Sequence, residues 1–255
     1  MSTSVRGVFA ASLLACSAFA ATPAFAQDET SPPKEITVTG NVALTSDYRF
    51  RGVSQSGGDI AVQGGITISH SSGFYIATWA SSLDVGDAYG STEVDLFGGW
   101  TGEVSPGLTL DAGLLYYAYP NGRGADSEFF EPYASVSGQA GPAKIKVGAA
   151  YAWKQDALPN FYTGRKDDNL YVYGNVDIGV PSTPLTVSGH IGYTDGSLAP
   201  CYYCNADKSG WDYSIGASMT LFGPLSASVS YVGVSGASVD SYTDDTVVGT
   251  LTATF

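Results

Sequence analysis

Apolar and polar residues alternate along this chain with a period of two, in stretches that recur from Ile36 to the last residue. Ile36, Val38, Gly40, Val42, Leu44, Ser46, Tyr48 and Phe50 fall on one face, and Thr37, Thr39, Asn41, Ala43, Thr45, Asp47, Arg49 and Arg51 on the other. Side chains of a β-strand point alternately to its two faces, so this segment reads as one strand with an apolar and a polar side. It is longer than an ordinary soluble strand of about 5–6 residues and suits a tilted strand crossing a bilayer, which needs about 9–11. Further strands are predicted at 60–69, 74–83 (with ambiguous facing), 92–101, 108–116, 129–138, 143–153, 169–179, 185–195, 211–221 and 225–233. The last is 246–255, where Val247, Gly249, Leu251, Ala253 and Phe255 alternate with mostly hydroxyl-bearing residues.

The count is about twelve, an even number as single-chain bacterial barrels have. Connections rich in Gly, Pro or Ser, such as 71–73, 103–107, 138–142, 181–184 and 222–224, are short. They alternate with mostly longer polar ones, such as 120–128, 154–168, 196–210 and 234–245. Short periplasmic turns against longer external loops is the rule for outer-membrane barrels and places both termini in the periplasm. Tyr48, Tyr116, Tyr151, Trp153, Tyr193, Trp211 and Tyr213 are expected on the apolar face near the external strand ends, with Trp100 and Phe255 at the periplasmic ends. Such girdles form because aromatic rings favour the headgroup level. The expected fold is an all-β, transmembrane, antiparallel up-and-down β-barrel over residues 36–255, in the bacterial outer membrane. Its terminal strand, ending in Phe255, resembles the signal read by the barrel-assembly machinery.

The amino terminus agrees with that destination. Arg6 precedes a short apolar core from Val8 to Ala15, and Ala24-Phe25-Ala26 fits signal-peptide cleavage, so residues 1–26 read as a secretory signal. Leu13-Leu14-Ala15-Cys16 also resembles a lipoprotein box, an alternative that would lipidate Cys16. Residues 27–35, with Pro32-Pro33, read as a disordered periplasmic lead-in. No later run has the eighteen or more apolar residues of a membrane helix.

The net charge of −13 argues against a nucleic-acid surface, which would be basic. The acids gather mostly in predicted loops. There they serve solubility, or else form an acidic vestibule or bind lipopolysaccharide through divalent cations. Signal cleavage would leave Cys201 and Cys204 in an oxidising compartment, and a loop-stiffening disulfide is the favoured reading. No metal site and no cofactor is indicated, since a zinc site would want two more ligands and none is close in sequence.

Asn41-Val-Ala-Leu-Thr-Ser-Asp-Tyr-Arg-Phe-Arg-Gly-Val-Ser-Gln-Ser56 resembles the proteobacterial TorF family of porins, long carried as conserved proteins of unknown function. Ala61–Gly65, Ser72–Tyr75, Glu93–Gly99 and Tyr116–Pro120 fit the same pattern, whereas the loop with Cys201 and Cys204 is outside it. The resemblance implies a barrel and suggests a pore for small hydrophilic solutes. It carries over no substrate and no catalytic residue.

Strand parity predicts a polar lumen of both signs. Asp47, Arg49, Arg51, Glu93, Asp95 and Glu131 are expected near the external end, and Asp111, Lys144, Lys146 and Asp177 nearer the periplasm. Asp177 should lie close to Lys144 or Lys146. Two readings stay open: a constriction whose opposed charges select solutes, in which Arg51→Glu would shift selectivity toward cations, or charges that neutralise one another in a plugged structural or adhesive barrel. A barrel enzyme is the weaker alternative. His70 sits by a periplasmic turn, and His190 shares a lumen face with Ser188 in a Ser-rich wall, where that coincidence is expected.

Overall fold

The computed structural model describes residues 35–123, 126–160, 163–200 and 209–255. Fourteen strands follow in order: β1 (Ile36–Thr45), β2 (Arg49–Phe50), β3 (Val53–Ser54), β4 (Ala61–His70), β5 (Phe74–Ser82), β6 (Thr92–Ser105) and β7 (Leu108–Ala118), then β8 (Phe129–Ala140), β9 (Ala143–Ala152), β10 (Asn169–Gly179), β11 (Leu185–Gly196), β12 (Ser209–Phe222), β13 (Leu225–Val234) and β14 (Thr246–Thr254). All but β2 and β3 form one closed antiparallel barrel of twelve strands, each hydrogen-bonded to its neighbours in sequence. β1 pairs with both β4 and β14, so the sheet has no free edge.

The hydrophobic pattern is inverted relative to a soluble protein. Ile36, Val38, Val42, Ile66, Phe74, Ile76, Ile215, Val229 and Val247 are exposed on the outside, whereas Glu131, Asp95 and Asp212 are buried within. That arrangement is stable only where hydrocarbon replaces water around the barrel. The molecule is an outer-membrane barrel. Tyr151, Trp153 and Trp211 project outward at the loop-rich end, as a headgroup girdle requires.

The expected strands correspond to the observed ones except at the start. The first strand ends at Thr45 instead of continuing through Arg51. Ser46 makes the last ladder contact: its N–H donates to the Gly249 carbonyl and its hydroxyl accepts from the Gly249 N–H. The chain then turns into the lumen, and β2 and β3 form a hairpin there with Phe50 opposite Val53. Arg51 and Gly52 between them both have positive φ, 48° and 80°. This is the geometry of the two-residue I′ turn, which is why Gly stands at the second position. Tyr48 is therefore no part of the outer girdle. It is buried inside, its ring 5.3 Å from that of Trp79. The ambiguous strand β5 resolves with Tyr75, Trp79 and Ser81 inward and Phe74 and Ile76 outward.

At the seam, Gly40 and Phe255 exchange backbone hydrogen bonds of 2.7 and 2.9 Å. The Phe255 ring covers Gly40 so closely that a Cβ there would lie 2.6 Å from the ring.

Candidate functional site

The lumen divides into two unlike halves. The inward faces of β5 to β10 carry bulky and charged side chains, among them Tyr75, Trp79, Glu93, Asp95, Glu131 and Tyr173. The inward faces of the next six strands round the barrel, β11 to β14, β1 and β4, carry mainly Ser, Thr and Gly. Among the described residues, His190 and Asp212 are the ionisable groups on that second wall.

The β2–β3 hairpin spans the external mouth. Asp47 organises its base, accepting from the Ser54 hydroxyl at 2.6 Å, the Ser56 hydroxyl at 3.1 Å and Arg49 Nε at 2.5 Å. Arg49 also donates to the backbone carbonyls of Gly52, Tyr242 and Asp244, and Ser54 N–H donates to Tyr242 O, which ties the hairpin to the last external loop. At the tip, Arg51 Nη2 donates to both carboxylate oxygens of Glu131, at 2.8 and 2.7 Å. Its guanidinium lies 4.2 Å from the centre of the Tyr171 ring and 4.7 Å from that of Phe50. Tyr117 donates a further hydrogen bond to Glu131. Burial, the largest single influence, would lower the Arg51 pKa, but the Glu131 carboxylate together with Tyr117 and Tyr171 outweighs it and raises the group above its ordinary value. Gly52 sits against β12 and β13, where a Cβ would meet Val234 at 2.3 Å. The loop between β9 and β10 adds Leu158, fully buried against a cluster containing Leu115, Tyr117 and Phe129. Together these elements form a plug.

The sequence-predicted lumen residues are thus brought together in two groups. Asp47, Arg49, Arg51, Glu93, Asp95 and Glu131 lie inside at the external end, each at most 5% exposed. Tyr48 and Tyr119 hydrogen-bond Glu93 there. These six are sealed around the plug and do not line an open surface. Lower down, Lys144 pairs in register with Asp177, which accepts from the Ser188 hydroxyl at 2.7 Å. Asp111 accepts from Tyr75 at 2.7 Å, and the Tyr75 hydroxyl also touches that of Tyr133. Lys146 lies half-buried nearby. Cys201, Cys204 and residues 1–34 lie outside the described residues.

Sequence reasoning missed the tyrosines that line the wall. Tyr133 lies across Gly113, Tyr173 across Gly148 and Tyr171 across Gly192, where a Cβ would come within 2.5, 2.5 and 2.3 Å of them. The available signal was an inward Gly directly opposite Tyr133 and Tyr173 on the paired strand, Gly113 and Gly148, whereas Tyr171 stands opposite Thr194 and reaches Gly192 diagonally.

His190 also proves richer than expected. Nδ1 is 2.5 Å from Asn175 Oδ1 and Nε2 is 2.7 Å from Asp212 Oδ1, with the Tyr171 hydroxyl 3.0 Å from Nε2. Both ring nitrogens are engaged, and Ser188 bonds to Asp177 instead of His190. Ser188 and His190 are thus not paired as acyl transfer would require; the Ser72 hydroxyl does lie 2.7 Å from His70 Nδ1, with Glu35 Oε1 3.5 Å from Nε2, at the exposed periplasmic turn. Asp212 Oδ2 is buried without a hydrogen-bond partner.

The fold has solved counterparts. The NanC porin aligns with TM-score 0.59 at 10% identity, covering 86% of this chain and 99% of that one. The KdgM porin, solved in complex with disordered oligogalacturonate, aligns with TM-score 0.55 at 8% identity, covering 86% and 98%. An outer membrane channel from Pseudomonas putida F1 gives TM-score 0.50 at 9% identity, covering 89% and 99%. These likenesses show a shared barrel architecture. None of the curated proteins matches the chain in sequence. A family model described as "Bacterial protein of unknown function (Gcw_chp)" matches residues 27–255, and the chain belongs to that family.

Proposed function

We propose that the protein is a porin-like channel for passive diffusion of ions and small hydrophilic solutes across the outer membrane, closed at its external mouth by the plug. The observation that carries this reading is the half-lumen of short hydroxyl side chains, from β11 round to β4. A barrel meant only as a scaffold fills its interior, as eight-stranded barrels do. Here six adjacent strands present side chains too short to fill it. The porins of similar fold support the reading. The oligogalacturonate held by the KdgM porin does not transfer, because Arg49 and Arg51 are both held by buried carboxylates and offer no free guanidinium to an anionic chain.

The test is single-channel conductance of the refolded chain in a planar bilayer under a salt gradient, beside a variant in which residues 47–58 are replaced by a short Gly-Ser linker. Discrete openings, larger or longer-lived in the shortened variant, are expected. Two folded barrels that both stay silent would sink the channel. That outcome would favour a second reading, motivated by the plug itself, of a closed barrel whose external loops bind a partner.

In the same proposal the carboxy-terminal strand is handed to the assembly machinery through Phe255, the outer girdle contacts lipid and lipopolysaccharide, and Cys201 and Cys204 staple their loop.

A further inference from the structure

The ring is closed, but one of its seams lacks rungs. β8 and β9 pair from Ala140 opposite Ala143 up to Tyr133 opposite Ala150 and no further, although β8 runs on to Phe129 and β9 to Ala152. Beyond that rung each strand keeps only its other neighbour, β7 for β8 and β10 for β9. The cause is in the sequence. Backbone groups of an antiparallel strand face its two neighbours alternately. Those of Phe130 face the β9 side, where the Gln155 amide donates to the carbonyl at 2.8 Å and accepts from the N–H at 2.9 Å. Those of Pro132 face the same way, and proline has no N–H to give. A rotatable side chain thus stands between the strands where a backbone rung would be. Apolar groups lie on both sides of the seam. Outside, Phe130 and Trp153 are exposed at girdle level, their stacked rings 6.2 Å apart. Inside, Phe129 and Ala152 belong to the buried cluster that holds Leu115 and Leu158. Glu131, which grips the plug tip through Arg51, lies on the same unpaired stretch of β8.

We infer that the β8–β9 seam is a lateral portal, through which neutral, hydroxyl-bearing lipophiles of the long-chain alcohol or alkylphenol class pass from the outer leaflet into the apolar cluster beside the plug. This goes beyond the diffusion of hydrophilic solutes through the lumen and does not rest on it. The position fixes the apolar body of the ligand. The seam opens toward lipid at the depth of the aromatic girdle, so a molecule already dissolved in the membrane is the one that meets it. Such a body exchanges hydrocarbon for Phe129, Leu115 and Leu158 without crossing water. The gate residue fixes the polar end. Swinging Gln155 aside frees the Phe130 N–H and C=O, and backbone groups left unpaired at the edge of lipid are costly. A hydroxyl both donates and accepts, and so takes over both roles of the amide. A carboxylate cannot donate to the Phe130 carbonyl, and the buried carboxylate of Glu131 repels it.

The experiment is photolabelling of the refolded chain in liposomes with a long-chain alcohol that carries a diazirine at the end of its tail, followed by mass spectrometry to locate the label. The matching carboxylate and a short water-soluble diazirine alcohol are run beside it. The long-chain alcohol is expected to mark the buried residues Leu115, Phe129 or Leu158 as well as outward ones, and to do so more strongly than either companion. Gln155→Ala removes the two hydrogen bonds that close the seam and is expected to raise the buried labelling about fivefold. Pro132→Val restores a donor to the missing rung and is expected to lower it. Label confined to outward residues, in the unaltered chain and in a folded Gln155→Ala variant, overturns the portal. Unchanged buried labelling in a folded Pro132→Val variant overturns it too, and keeps the test decisive should Gln155→Ala fail to fold. Equal buried labelling by the water-soluble alcohol would mark entry through the mouth and also overturn it. Equal buried labelling by the carboxylate would overturn the ligand class.

Discussion

Arg51 is the residue on which the closed mouth turns. It occupies a left-handed conformation that costs a non-glycine residue free energy, and it is retained there by a two-pronged bond to a fully buried carboxylate. Removing one member of a buried pair strands the other, at about 3–5 kcal/mol. Arg51→Ala should therefore release the hairpin, raising conductance and opening residues 46–60 to protease in the folded barrel. Arg51→Lys should give most of the same effect, because an ammonium neither forks onto Glu131 nor stacks on Tyr171. Arg51→Glu, which from sequence would shift ion selectivity, is now expected to unlatch the plug first, since it sets two carboxylates together out of water. The sign of the pH dependence follows from the raised pKa. The Arg51 contribution is complete below the ordinary guanidinium value and fades only as pH rises above it, so the base side of the latch does not titrate in the physiological range. Conductance recorded between neutral and mildly alkaline pH should show no step from this group.

At the scale of elements, the seam between β1 and β14 depends on a glycine and the last aromatic ring. Gly40→Val pushes into the Phe255 ring at the place where the barrel closes. It should lower the yield of folded barrel and the temperature at which folded migration on gels is lost. Phe255→Ala should do the same more mildly, since it uncovers Gly40 without a clash. The elements were also where sequence reading did best and then failed. Period-two alternation located all twelve barrel strands, because lipid on one side and a polar lumen on the other impose it more strictly than a soluble core does. The same alternation ran on through Ser46, Tyr48 and Phe50, so the first strand overran its end. The deciding contacts, Glu131, Tyr171 and Asp244, lie far along the chain, and no local pattern reports them. Arg51-Gly52 between two alternating pairs was the one local cue for a hairpin.

For the molecule as a whole, parity placed the charged residues on the inner face but could not tell which of them meet solvent. That depends on the plug, which covers six of them and leaves Lys144, Lys146 and Asp177 half-exposed. Ion selectivity should accordingly be set near the periplasmic end. Lys144→Glu/Lys146→Glu is expected to move the reversal potential in a salt gradient toward cation preference, by more than any exchange at Arg49 that leaves the hairpin closed. A larger shift from Arg49 would mean that solutes reach the external charges. The division of the lumen into a hydroxyl wall and a charged wall was legible in the strand sequences once facing was known. Its meaning emerged only from the closed ring, which sets β11 to β14 beside β1 and β4.

The plug also has a place in time. Its hairpin follows β1 directly, yet its partners come from β8, β10, β12 and the last external loop, the farthest contact lying 195 residues on. Contacts of such long separation form only after the intervening chain has been ordered. The hairpin can therefore seat only when the ring around it is whole. A seated hairpin is thus a built-in certificate of closure: a barrel whose ring is incomplete should leave segment 46–60 open to protease, and a closed one should hide it.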